Sequence, residues 1–164
     1  MKTKLLSLCL VLMCAAQLFA YDAYIDGIYY NLHKSAKTAE VTNLTGSYDA
    51  KSYSGVVVIP STITYNAQTY SVTTIGDDAF YGCSGLTKTN YTGTIADWCE
   101  IKFGMFYANP MYYSKNFFIN DVEVKDLVIP EGVKQIGYGA FSNCSNLKYL
   151  MYVCKMLSNS KSNE

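Results

Sequence analysis

Two stretches of this sequence repeat one pattern of residues, and this repeat limits the possible folds more than any other feature. Residues 75–86 and 136–147 both read I-G-x-x-A-F-x-x-C-S-x-L, at an offset of 61 positions. An apolar run that ends in Ile-Pro precedes each copy, at residues 55–60 and 126–130. Similarity at a fixed offset is typical of stacked repeats, in which each unit buries its apolar edge only against its neighbours.

The spacing of apolar residues gives the length of one repeat. Leu127 and Leu150 lie 23 positions apart. The first copy is longer, with 32 positions from Val57 to Thr89, and its extra residues fit a β-hairpin at residues 62–72. A longer unit of 38 positions follows and holds an insertion at about residues 94–124. We therefore predict a β-rich solenoid of about three turns of the 23-residue type with hairpin insertions.

Positions that the two copies share are predicted to form the core. Leu127 and Ile129 alternate at period 2 and so face one side of a strand, which Pro130 ends because it cannot donate to a ladder. Gly137 is expected to permit a turn. The predicted core consists of Ile75, Ala79, Phe80, Cys83, Leu86, Leu127, Ile129, Ile136, Ala140, Phe141, Cys144 and Leu147.

The frame L-x-I-P-x-x-V-x-x-I-G-x-x-A-F-x-x-C-x-x-L resembles the BspA-type leucine-rich repeat of bacterial surface antigens. The resemblance covers roughly residues 55–93 and 125–154. Residues 96–113 resemble an insertion seen inside such arrays, and residues 26–30 resemble their usual opening. The resemblance implies an α/β leucine-rich-repeat solenoid, strongly β-rich, and a role in adhesion to host or matrix proteins or to partner bacteria.

The N-terminus predicts export. Lys2 and Lys4 precede an apolar stretch that ends at Ala16, a pattern typical of a signal peptide of residues 1–20. This stretch, roughly 12 residues long, is shorter than the roughly 20 that a membrane-spanning helix needs. Cleavage is expected after Ala20 or, alternatively, after Ala16. We expect an extracellular, cell-surface or periplasmic protein.

The remaining chain divides into three parts. Residues 21–54 are predicted to form an N-terminal β cap, with a hairpin around Asp26-Gly27, that covers the open edge of the first turn. Residues 55–157 are predicted to form the solenoid, with hairpin strands at residues 117–119 and 122–124 and a helix at residues 95–103. Residues 158–164 are polar and predicted to be disordered.

The charge of the chain excludes two classes of partner. Thirteen lysines and no arginine balance 13 acidic residues, and loss of Lys2 and Lys4 with the leader leaves 11 against 13, a net charge of −2. Nucleic-acid binding needs a dense cationic surface, and so does polybasic membrane binding. We therefore expect neither, and no segment of the mature chain is apolar for long enough to span a bilayer.

The sequence predicts no catalytic, metal or cofactor site. Two of the six cysteines lie in the leader, and Cys83 and Cys144 occupy the same repeat position, roughly 10 Å apart if one turn separates them, which is too far for a disulfide. Zinc lacks ligands, because His33 is the single histidine and there is no C-x-x-C motif. Cys99 and Cys154 are left open as paired or free.

We expect ligand binding on the strand residues that alternate with the buried set. This face comprises Val56, Val58, Lys88, Asn90, Asp126, Val128, Tyr149 and Met151. The first hypothesis is a non-enzymatic protein that binds a protein ligand on a host or bacterial surface. One alternative is a carbohydrate-binding module that uses exposed tyrosines and Trp98, and another is a truncated remnant of a longer adhesin without its own function.

Residues 149–154 are predicted to form an edge strand of high β-propensity that lets the protein self-associate. The alternative is that residues 155–157 fold back and cover this edge.

Overall fold

A computed structural model describes residues 20–47 and 51–152. The predicted signal peptide and the predicted disordered tail lie outside the described residues, apart from Ala20 itself. The chain has twelve described strands, two short α-helices and one 3-10 helix.

The N-terminal segment, the hairpin that follows Pro60 and residues 102–103 form one sheet. Its order is β1-β2-β3-β6-β5, and β8 also pairs with β6. The pairs β1–β2, β2–β3 and β5–β6 are antiparallel, whereas β3 and β8 are parallel to β6. The strands are β1 (Ala23–Ile25), β2 (Ile28–His33), β3 (Thr38–Thr42), β5 (Thr62–Tyr65), β6 (Gln68–Ile75) and β8 (Lys102–Phe103).

A second sheet has the order β10-β9-β7-β4, and a third contains β11 and β12 alone. The pairs β4–β7, β7–β9 and β11–β12 are parallel, and β9–β10 is an antiparallel hairpin. These strands are β4 (Gly55–Ile59), β7 (Leu86–Tyr91), β9 (Phe117–Ile119), β10 (Val122–Glu123), β11 (Asp126–Ile129) and β12 (Tyr149–Tyr152). The helices are α1 (Ile95–Glu100), the 3-10 helix Phe106–Ala108 and α2 (Met111–Ser114).

The hairpins turn where the sequence predicts them. Both central residues of each turn have positive φ, at Asp26-Gly27, Asn66-Ala67 and Asn120-Asp121. Two such residues in succession make the tight turn that matches strand twist, and Asn, Asp and Gly adopt it most readily. The helix predicted over residues 95–103 ends earlier, at Glu100, because Lys102–Phe103 pairs with β6 instead. Thr94 caps it, accepting the N–H of Asp97 at 3.1 Å.

The predicted insertion at residues 94–124 does not lie outside the repeat ladder. Its strand β9 is parallel to β7, joined by bonds from Thr89 N–H to Asn116 O (3.0 Å) and from Asn120 N–H to Tyr91 O (2.9 Å). The strand beside β7 is therefore β9, and β11 begins a separate sheet with β12. The regular three-turn solenoid stays a prediction.

The cap joins the first repeat unit through β6. Its strand β3 pairs with β6 in the first sheet, and no described strand pairs with the outer edge of β4. The cap's parallel partner is thus the strand that returns from the hairpin, not the strand before Pro60. That the cap covers the open edge of the first turn stays a prediction.

The repeat glycines allow close backbone approach. Gly76 donates its N–H to Val41 O at 2.9 Å, and Gly137 donates to Cys99 O at 2.8 Å. A Cβ on Gly137 would lie 2.2 Å from Ile101 O, which no real side chain tolerates. Neither glycine has positive φ, so the turn expected at Gly137 is not the reason for glycine there. The reason is the space between neighbouring segments.

One core lies between the first two sheets, but the two repeat copies differ in burial. Phe80 is fully buried, with its ring 4.7 Å from that of Tyr53. Phe141 is half-buried, and its ring centroid lies 6.0 Å from that of Phe117. The buried members of the predicted core are Ile75, Ala79, Phe80, Cys83, Leu86, Leu127, Ile129 and Ala140; Ile136, Phe141, Cys144 and Leu147 are half-buried.

We expect Phe80→Ala to lower the free energy of unfolding by about 3–5 kcal/mol, the usual range for a buried phenylalanine. Phe141→Ala should cost clearly less, because its ring already contacts solvent. Urea unfolding of both variants measures the two values. Equal losses would contradict the difference in packing between the two copies.

Exposed strand faces as the candidate functional site

The outer face of β4 is apolar. Val57 and Ile59 point into the core, whereas Val56 is 56% and Val58 is 42% exposed. This alternation follows from the period of 2 in a strand. It places two of the predicted ligand-binding residues on the surface.

The outer face of β7 is partly covered, and here the expectation of an exposed residue fails. Asn90 is buried: its side-chain amide donates to Asp121 Oδ1 at 3.1 Å, and its Oδ1 accepts the Asp121 N–H at 2.9 Å. It lies on the predicted face, but the turn between β9 and β10 covers it. Asn90 therefore holds this hairpin and is not available to a ligand.

Lys88 is engaged by the same hairpin. Its ammonium lies 2.8 Å from Asp121 Oδ1 and 4.3 Å from the centroid of the Phe118 ring. Both partners stabilise the cation, through charge and through the face of the ring. The sequence did not predict these contacts, because 31 or more residues separate Asp121 from its partners. The Asn120-Asp121 pair indicates a turn but not the strand against which the turn packs.

The other four predicted ligand-binding residues lie together on the outer face of the β11–β12 pair. In its register Asp126 faces Tyr149 and Val128 faces Met151. Val128, Tyr149 and Met151 are 41%, 67% and 51% exposed. Three apolar side chains with an acid at one end thus form one surface, which we call the terminal patch.

The β4 valines and the terminal patch do not share a sheet, because the β9–β10 hairpin ends the second sheet. An open groove lies beside this hairpin. Its apolar lining residues are Ile95, Ile119, Val122, Val124 and Val128, and its charged ones are Glu123, Lys125 and Asp126. Val122 is 71% exposed and was not among the predicted binding residues. Its position next to a turn residue was the only signal that the sequence carried.

A cluster of aromatic rings joins Tyr81 of the first repeat copy to the 3-10 helix and to α2. The ring of Tyr107 is 5.0 Å from Tyr81 and 5.1 Å from Phe106, which is 5.6 Å from Tyr112. Tyr81 and Phe106 are 38% and 41% exposed. The rings meet edge to face, at angles of 65° to 73°, and do not form a flat platform.

Trp98 cannot serve the carbohydrate-binding hypothesis in which it was named. It is fully buried, and its Nε1 donates to Ala140 O at 2.9 Å. Rings of Tyr91, Phe103 and Phe117 pack within 4.9 to 5.4 Å of it. Its place on α1 turns it into the core, where a buried indole N–H needs a partner.

The described cysteines are free and shielded. Cys83 and Cys99 are buried and Cys144 is half-buried. Burial raises the pKa of all three thiols, that of Cys99 to about 11 with a smaller effect of Glu100. Over residues 20–47 and 51–152, no three His, Cys, Asp or Glu residues lie together as metal ligands. Cys154 lies outside the described residues.

No helix of the described chain is long and apolar enough to span a membrane.

The chain matches a known repeat family over most of its length. The BspA type leucine rich repeat region (6 copies) covers residues 60–110 and 111–161, more than half of the 164 residues. The chain therefore belongs to the BspA-type leucine-rich-repeat family. Proteins of this family are non-enzymatic repeat proteins of the cell surface.

Three solved structures are similar to the chain. A leucine-rich repeat protein from Bacteroides ovatus is 25% identical over 80% of this chain and 41% of its own, with a TM-score of 0.36. A leucine rich cell surface protein from Faecalibacterium prausnitzii is 19% identical over 79% and 42%, with a TM-score of 0.39. The T. pallidum leucine rich repeat protein is 17% identical over 79% and 70%, with a TM-score of 0.43.

The chain thus spans about two fifths of the length of the first two of these proteins. No curated protein matches the sequence.

We expect iodoacetamide at about pH 8 to leave Cys83 and Cys99 unmodified in the folded protein, because burial blocks access and few thiolates form. Cys144, which is half-buried, should react first of the three. Peptide mass spectrometry after a timed quench, with a urea-unfolded sample as the control, measures the three rates. Fast labelling of Cys99 in the folded state would contradict its burial.

The raised pKa of Cys99 also predicts a loss of stability in alkali. The pKa of its thiol is 9.0 for the free group and about 11 in the folded protein. The contribution of the thiol to the free energy of unfolding is therefore complete below pH 9 and is lost as the pH rises towards 11. Thermal unfolding as a function of pH should therefore show a decline in this interval, and the decline should be smaller in Cys99→Ala.

Proposed function

We propose that this protein is exported and acts as a non-enzymatic leucine-rich-repeat protein that binds protein ligands through its outer strand faces. The observation that carries the proposal is the terminal patch, where Val128, Tyr149 and Met151 are all exposed side by side. Exposed apolar side chains with tyrosine among them are typical of protein interfaces, and a repeat array offers such a face over an extended surface.

The proposed ligand is a protein of a host matrix or of a partner bacterium, so the activity is adhesion. The predicted signal peptide of residues 1–20 supports export, and the family's presence at the cell surface agrees with it. The near-neutral charge leaves apolar and hydrogen-bonding contacts as the main source of affinity. A solenoid of about three turns would present these contacts along one side.

We expect the double variant Val128→Lys and Tyr149→Lys to reduce binding of the purified protein to plates coated with decellularised host matrix by about tenfold or more. Both positions are solvent-exposed, so the fold should survive. Tyr138→Lys is the matched control, because Tyr138 is 73% exposed but lies on no strand. If the wild type, the double variant and the control variant bind equally, the adhesive surface lies elsewhere.

The alternative is carbohydrate binding, and the exposed ring cluster around Phe106 is the observation that favours it. Sugars stack best on accessible ring faces, whereas these rings meet edge to face, which makes the alternative the weaker hypothesis. Saturable signals on a glycan array that Phe106→Ala and Tyr112→Ala abolish would favour it. Failure of matrix and glycan binding alike would favour the third hypothesis, a remnant without its own function.

Self-association through the edge of β12 stays a prediction, because residues 153–164 lie outside the described chain. β12 pairs with β11 on one side, and Met151 is exposed on its outer face. Met151→Lys should reduce concentration-dependent light scattering, since a charge on an edge strand opposes pairing. Unchanged scattering in this variant would argue that residues 155–157 cover the edge or that another surface associates.

A further inference from the structure

No described strand pairs with the outer edge of β4. β4 ends the order β10-β9-β7-β4, and its other edge is open within residues 20–47 and 51–152. A groove of about 290 Å³ runs beside it, lined by residues 26–28 and 52–54 and by the three valines of β4. An open strand edge offers N–H and C=O groups with which another strand can pair.

The hydrogen bonds of β4 show which of its backbone groups face this groove. Gly55 donates its N–H to Gly85 O at 2.8 Å, and Ile59 O accepts the N–H of Thr92 at 3.0 Å. Because successive residues of a strand direct their backbone groups to opposite edges, Val57 also faces β7. Val56 and Val58 therefore direct theirs into the groove, and neither has a backbone partner among the described residues.

The composition of β4 does nothing to prevent pairing. The strand reads Gly-Val-Val-Val-Ile and carries no charge, and its exposed side chains are Val56 and Val58. Proteins usually protect edges with lysine, proline or a bulge that bends the edge strand itself. Here the bulge between β4 and β7 lies opposite Gly55, where β7 has the extra residue, so β4 is regular. Pro60 then ends the pairing, since it has no N–H.

We propose that the β4 edges of two copies pair antiparallel about a two-fold axis at Val57, so that the protein forms an isologous dimer. The open groups lie at Val56 and Val58, one residue on each side of this axis. Antiparallel pairing then sets Val56 opposite Val58 of the partner subunit, and each such pair exchanges two hydrogen bonds. All four open N–H and C=O groups of each copy are satisfied.

The same register is favourable for the side chains. On the outer face, Val56 of each copy lies beside Val58 of the partner subunit, which makes one cluster of four valines that were exposed in the monomer. The two four-stranded sheets become one continuous sheet of eight strands. A two-fold interface of this kind closes, because each copy uses its only β4 edge.

Val58→Pro tests this pairing. The proline removes an N–H that faces the groove and not β7, so the internal ladder is kept while two of the four intermolecular bonds are lost. We expect the dimer dissociation constant, from sedimentation equilibrium, to rise by about tenfold or more. Val128→Pro is the matched control, because Val128 occupies the same place before Ile-Pro in β11. It should leave the dimer unchanged, and circular dichroism checks that both variants fold.

Charge pairs then test the register. Val56→Lys and Val58→Glu should each weaken the homodimer, but a mixture of the two variants should form a heterodimer in native mass spectrometry, because the register sets these positions opposite each other. A mixture of Val56→Lys with Val56→Glu should form no such heterodimer, because position 56 of one copy lies diagonal to position 56 of the other and not opposite it.

Several results would overturn the proposal. The first is a wild type that stays monomeric at high concentration, in which case the β4 edge binds an extended segment of another protein or binds nothing. The second is a dimer that Val58→Pro leaves intact. Open-ended oligomers that both Val58→Pro and Met151→Lys dissolve would show β4 pairing with β12 of the next copy instead.

Discussion

The structure depends on close backbone contact between successive segments of the chain. The N–H groups of Gly76, Gly104 and Gly137 each bond to a carbonyl of an earlier segment, on Val41, Ile75 and Cys99. A Cβ on Gly104 or Gly137 would lie within 2.2 Å of atoms in that segment. This spacing lets residues such as Ile75 and Phe103 stack in one core, and a single repeat could not bury them alone.

Local rules and the repeat were enough to predict much of this fold. The alternation of Val56 to Ile59, the three tight hairpin turns and the burial of Phe80 all follow from residues within a few positions of one another or from one matched frame. The pairing of the cap with β6 and the pairing of β9 with β7 could not be predicted in this way, because each joins strands that are far apart in the sequence. Periodicity states which face of a strand is buried but not which strand lies beside it.

The same limit explains what happened to the predicted binding face. Strand parity predicted that Asn90 is exposed, yet Asp121, which lies 31 residues away in the chain, bonds to its side chain and Asn90 is buried. Because β9 takes the place beside β7, the outward residues fall into two groups, the β4 valines and the terminal patch. Trp98 shows the converse, since α1 directs a residue that looked suited to ligand contact into the core.

The two ends of the second sheet differ in a way that bears on assembly. At one end β10 is only two residues long, and the charged residues Asp121, Glu123 and Lys125 lie on or beside it. A short, charged edge is a poor template for another strand. At the other end β4 is five residues long, regular and uncharged. If one end of a sheet resists addition and the other accepts its own copy, growth of that sheet stops at two molecules. The apolar β4 edge is then compatible with a closed dimer, whereas a second open edge on the same sheet would have favoured fibres.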